Sequence, residues 1–142
     1  MLDLRTLLAG YDLGTLRDIA ELWGIELRSA ERRSALSELA VGMNSEALFK
    51  EVFAALPRSA ADALADVSSG SGKMPWQAFE HAYGELRPMG PARRKREKPH
   101  RFPQNTTEQL WYLGLVGRGT RRDEDGLSEV AFVPAEFLPW LP

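Results

Sequence analysis

Apolar residues recur at helical spacing along most of the chain. Leu13, Leu16, Ile19, Ala20 and Trp23 stand three or four apart and Gly24 follows, which predicts an amphipathic helix closed by a glycine. Ile25 and Leu27, two apart, predict a short extended connector. Ala35, Leu36, Leu39 and Ala40 mark a second helix over 31–41. Beyond Gly42, Asn44 or Ser45 can cap a helix whose stripe is Leu48, Phe49, Val52, Phe53 and Leu56. Pro57 ends that helix and suits the first turn of the next, with Ala61, Leu64, Ala65 and Val67 facing inward.

The pattern changes after residue 67. Ser68–Gly72 reads as a turn, Lys73-Met74-Pro75 as a very short strand, and Trp76, Phe79, Tyr83 and Leu86 as a further helix. Pro88, Pro91, Pro99 and Pro103 exclude a long helix from 87–104 and leave a loop, with room for one brief turn over 92–98. Asn105 followed by Glu108 resembles a capping box, opening a helix over 105–114. Leu110, Trp111, Gly114 and Leu115 share its inner face, and Gln109 and Tyr112 point the other way. Two alternating stretches within 115–133 flank Asp123-Glu-Asp-Gly126 and predict a hairpin. Helix, short strand, helix, helix, hairpin is the winged-helix order, with 105–114 in the recognition position and 115–133 as the wing. The expected fold is mainly α with a small β-hairpin (α+β). A helix-extended-helix segment over 1–43 precedes a winged-helix domain over 44–142.

Two resemblances accompany this reading. The first segment resembles SAP-like DNA-binding modules: Gly24 and Ile25 fit, Arg33 stands at the lysine position, and Glu31 replaces the usual glycine. The stretch 79–142 resembles the winged-helix region of bacterial XPB-type helicase-associated proteins. That resemblance is carried by Tyr83-Gly-Glu-Leu-Arg-Pro-Met-Gly-Pro-Ala-Arg-Arg94, Glu108-Gln-Leu-Trp-Tyr-Leu-Gly-Leu-Val-Gly-Arg118 and Phe132-Val-Pro-Ala-Glu-Phe-Leu-Pro-Trp-Leu-Pro142. It implies a role in DNA repair or transcription-linked transactions, in a module that precedes further helicase-associated domains.

Composition narrows the chemistry. The 142 residues suit one ordinary domain or two very small ones, and the chain contains no cysteine. A disulfide scaffold, a thiol nucleophile and thiolate zinc sites are therefore excluded. No apolar run approaches the roughly 20 residues of a membrane span. Met1-Leu-Asp-Leu-Arg5 lacks the charge-then-apolar order of a signal peptide, so a cytoplasmic location is expected. The net charge of −2 argues against a nucleic-acid partner until it is divided. Residues 1–84 carry −4, residues 85–122 carry +7 and residues 123–142 carry −5. Because salt screens distant charges, a partner meets the local field. The acidic end is expected either to face away from the basic segment or to shield it.

Candidate chemistry follows the positive segment. Arg87, Arg93, Arg94, Lys95, Arg96, Lys98 and Arg101 lie between residues 85 and 101, with Glu85 and Glu97 the only acids. Cations that contact phosphates release condensed counterions, and about five such contacts would give a salt slope near −4.5. Arg118, Arg121 and Arg122 on the wing add charge where wings meet backbone or minor groove. On the recognition helix, Thr106, Thr107, Gln109 and Tyr112 are candidate contacts, Gln109 for adenine and Thr107 for a phosphate. Glu108 on the same surface would repel the backbone. Gly70-Ser-Gly-Lys73 lacks the first glycine and the hydroxyl residue of a phosphate loop, and reads as a plain turn. His81 and His100 have no third convergent ligand and are expected at the surface and in a loop. Trp76, Trp111, Phe49 and Phe53 read as core; Trp140 reads as a residue that docks a following domain.

Together these observations predict a non-enzymatic, monomeric, cofactor-free DNA-binding accessory module of an XPB-like helicase system. Its DNA, duplex or fork, is gripped with weak sequence preference, a role that carries nucleoid association with it. A winged helix that docks a helicase motor or another protein domain is the competing expectation. A transcription regulator would need a dimer and a palindromic site.

Overall fold

The computed structural model describes residues 2–142, and its helices outnumber its strands. The first half is helical: α1 (Leu4–Ala9), α2 (Leu13–Trp23), α3 (Arg32–Met43), α4 (Glu46–Ala54) and α5 (Arg58–Ser69). There follow β1 (Lys73–Pro75), α6 (Trp76–Tyr83), α7 (Pro91–Glu97), α8 (Thr106–Tyr112), β2 (Gly117–Asp123), β3 (Gly126–Phe132) and a 3-10 turn at Leu138–Trp140. The result is a mainly α-helical α+β fold with a three-stranded antiparallel sheet in the order β1-β3-β2. Met74 of β1 and Arg118 of β2 both face Ala131 of the central strand.

Side-chain caps set half of the α-helix starts. Asp3, Asp12, Ser45 and Asn105 each accept a hydrogen bond from the backbone N–H three residues on, satisfying one of the donors a first turn leaves open. Of the two expected caps before α4, Ser45 is the one used. Gly24 closes α2 in the left-handed region at φ 71°, as its position predicts. The buried stripe of α5 is Ala60, Ala63, Leu64 and Val67; Ala61 is half-buried and Ala65 exposed, so the inward face is rotated from the expected one.

One apolar core joins both sides of the boundary at residue 43. Leu7, Leu16, Ile19, Trp23 and Met43 pack in the same cluster as Phe49, Leu64, Phe79, Leu110, Phe132 and Phe137. Two long-range bonds fasten the first helices to the end of α8. The Tyr11 hydroxyl donates to the Trp111 carbonyl at 3.0 Å, and the Trp23 indole N–H donates to the Leu113 carbonyl at 2.7 Å. The closing segment returns to the beginning, where Glu136 Oε1 accepts from the Leu4 N–H at 2.8 Å. Trp140, expected to face a following domain, is half-buried and packs on Phe49 and Phe137. Among the described residues no helix is long and apolar enough to cross a membrane.

Candidate nucleic-acid interface

The stretch between α6 and α8 folds back over α8, and this decides which charges are presented. Gly84 makes the turn at φ 112°, with Asn105 packed where a Cβ would stand. The Asn105 side chain caps α8 through Oδ1 and donates from Nδ2 to the Glu85 carbonyl at 2.8 Å. The capping box is therefore half realised. Glu108, instead of reaching back to the Asn105 N–H, accepts from the N–H groups of Gln104 (2.9 Å) and Arg87 (3.0 Å). It also takes both arms of the Arg87 guanidinium at 2.8 Å. The carboxylate is fully buried. Burial alone would raise its pKa, but the bonds from Arg87 and the two backbone donors outweigh that and hold it below the ordinary value.

This corrects the exposed face expected for α8. Glu108 and Tyr112, one turn apart, face the covering stretch rather than solvent, and Thr107 is buried as well. Tyr112 lies within electrostatic reach of Arg94, Arg87 and Glu108. Thr107 Oγ1 is buried without a hydrogen-bond partner. Of the four α8 candidates, Thr106 and Gln109 alone remain partly accessible. A helix judged from its own periodicity is judged bare, and a loop that packs on it reassigns its faces.

The expected loop contains α7, a short helix with Pro91 in its first turn and no buried residue. It lies against α2 through charge. Arg94 pairs with Asp12, Arg101 Nη2 reaches Glu21 Oε1 at 2.6 Å, and His100 Nε2 lies 2.9 Å from Glu21 Oε2. His100 Nδ1 faces Asp18 at 3.6 Å; the residue stands in the loop after α7, as expected, with its side chain almost wholly enclosed. These groups border a cleft of about 390 Å³ between α2 and α7. Hydrogen bonds from Arg101 and His100 draw the Glu21 carboxyl down to about 2. Burial raises that of Asp18, against the pull of His100. Shielding of the basic segment thus comes from α2 and from its own Glu97 and Glu108. In the acidic 123–142 stretch, Glu129 pairs with Arg118 of β2 and Glu136 caps α1.

The predicted cations divide accordingly. Arg87 is bound to Glu108 and lies near Glu97, Arg93 pairs with Glu97, Arg94 with Asp12 and Arg101 with Glu21. On the hairpin, Arg118 pairs with Glu129 and stacks 5.0 Å from the Trp76 ring centroid, and Arg121 Nε is buried without a partner. Lys95, Arg96, Lys98 and Arg122 are exposed and form no ion pair among the described residues. The tip carries Asp123, Glu124 and Asp125, which limits its reach toward phosphates. Among the described residues no group of three or more His, Asp or Glu side chains is disposed to hold a metal ion. One exposed aromatic, Phe102, was not singled out from the sequence; its signal is its place inside the basic, proline-flanked run Lys98-Pro-His-Arg-Phe-Pro103.

No protein-family model matches the chain, and no curated protein or solved structure is significantly similar to it.

Proposed function

We propose that this chain is a non-enzymatic winged-helix module that binds DNA through its backbone phosphates, with weak sequence preference. The observation that carries this reading is the group of free, exposed cations Lys95, Arg96 and Lys98 on the segment leading into α8. Arg122 on the hairpin adds a further contact. The succession α5, β1, α6, α7, α8, β2, β3 with β3 central supports the winged-helix reading, α7 standing as an extra helix between α6 and α8. Neutralisation of Glu108 by Arg87 removes the repulsion that an exposed carboxylate would bring to this surface. With Thr107 and Tyr112 buried, reading of base edges is limited to Thr106 and Gln109. The resemblance of 79–142 to XPB-type helicase-associated proteins supplies the setting, an accessory module of such a helicase system.

Fluorescence anisotropy on duplex and fork DNA tests the proposal. Four phosphate contacts predict a log–log salt slope near −3.6. Absence of binding at about 50 mM salt sinks it. The competing reading, a protein-docking module using Trp140, has less support because that ring already packs on Phe49 and Phe137. Reversing Lys95, Arg96 and Lys98 to glutamate separates the two: DNA binding is lost under the first and partner capture is kept under the second.

A further inference from the structure

Phe102 is 69% exposed, one of three large apolar side chains that the described residues leave in water, and it enters no aromatic contact. Its exposure does not come from a loose tether. Lys98 leaves α7 in the left-handed region at φ 49° and turns the chain, and its carbonyl accepts from the N–H groups of Arg101 (2.9 Å) and Phe102 (3.0 Å). Pro99 is buried beneath that turn, and the enclosed His100 is held by Glu21. The ring is thus presented outward by a turn anchored on its inner side, one helical turn from Lys98. A pre-set aromatic four residues beyond the unpaired Lys98, which with Lys95 lines the adjoining cleft, suits one ligand chemistry: a polyanionic strand whose flat bases are free to stack. Its chain neighbours Arg101 and Pro103, and not Phe102 itself, line a cleft of about 280 Å³ with Leu22, Val52, Leu56 and Gln109 on the wall.

We propose that Phe102 is a stacking platform for an unpaired nucleobase, with the phosphates of the same strand lying on Lys95, Arg96 and Lys98. This rests on the phosphate-binding reading above and narrows its substrate from paired duplex to strands with unpaired bases, as at a fork. A paired base keeps both faces covered by its neighbours and offers none to the ring. Stacking needs no charge, so ring and cations make separable contributions.

The test measures anisotropy of the full chain with a labelled oligothymidine of about 12 nucleotides and with a blunt hairpin duplex of similar length. Wild type is expected to prefer the single strand. Phe102→Ala weakens single-strand binding about tenfold, leaves the duplex unaffected and keeps the same salt slope. Phe102→Trp retains the preference. The triple variant Lys95→Ala, Arg96→Ala, Lys98→Ala weakens both ligands and flattens the single-strand salt slope by about 2. Equal binding of both ligands by wild type, or unchanged single-strand affinity in Phe102→Ala, overturns the stacking assignment while duplex binding keeps the phosphate reading alive. An unchanged affinity is also the outcome if the ring anchors a protein. Failure to bind either oligonucleotide overturns both. Since Phe102 lies outside the core, an unaltered thermal melting curve for Phe102→Ala is expected alongside.

Discussion

Two sets of arginine–carboxylate pairs tie the 85–101 segment down, and they do different work. Between Arg87 and Glu108 the carboxylate is fully buried, gripped by both guanidinium arms and by two backbone N–H groups. Between Arg101 and Glu21 both side chains are about half exposed, at 49% and 48%. Charge type and distance are alike; desolvation is what separates them. A buried pair whose members satisfy one another holds two elements in a single geometry, and removing one member strands the other's donors. A solvated pair gains little, because water and salt compete for each partner. The first set therefore shapes the surface that precedes α8. The second holds the turn after α7 by a contact that a phosphate can replace, while Arg94 on α7, only 18% exposed, is held to Asp12 more firmly.

Breaking the buried pair should have the largest effect. Glu108→Ala leaves the Gln104 and Arg87 N–H groups and the guanidinium without their acceptor, and should cost about 3 kcal/mol in urea unfolding. A loss below about 1 kcal/mol would show that the carboxylate is not the anchor described. The same contrast has a pH signature. The folded-state pKa of Glu108 is depressed, so its contribution is present above the ordinary value of 4.5 and is lost as pH falls through the folded value. Wild type should accordingly lose stability more steeply than Glu108→Gln as pH falls from 4.5 to the folded value. Parallel curves for the two proteins would contradict it.

Next in size is the cap that holds the start of α8 against the Glu85 carbonyl. Asn105→Ala should lower stability by about 1 kcal/mol, read as a shift in the urea midpoint. At the solvated pairs the expectation reverses in kind. Glu21→Gln, which keeps an acceptor for the enclosed His100, should leave the unfolding midpoint nearly unchanged and loosen the hold on Arg101, tightening DNA binding about threefold and steepening the salt slope by about 0.9. A clear drop in stability with no gain in DNA affinity would show the two sets to be equivalent.

Much of the architecture is legible along the chain because it is written in local periodicity. The stripe Leu13, Leu16, Ile19, Ala20 and Trp23 with Gly24 behind it specifies α2, and Lys73-Met-Pro, Asn105 and the acidic turn at 123–126 mark β1, α8 and the hairpin. The local rules cover such elements since each depends on residues a few positions apart. The surface is a different matter. Tyr112 and Glu108 read as outward positions on an isolated helix, yet both are covered, and His100 reads as a loop residue but is enclosed between Asp18 and Glu21.

From the sequence alone came the helical character, the order of α2 to α6, α8 and the hairpin, and the concentration of positive charge in 85–122. Apart from the local Arg93–Glu97 pair, tertiary structure decided which of those charges are free. Arg87, Arg94 and Arg101 find their carboxylates 21, 82 and 80 residues away, and Lys95, Arg96 and Lys98 find none. Such pairings carry no periodic signature. They depend on which surfaces meet once the apolar core has formed, and burial then sets how firmly each charge is held.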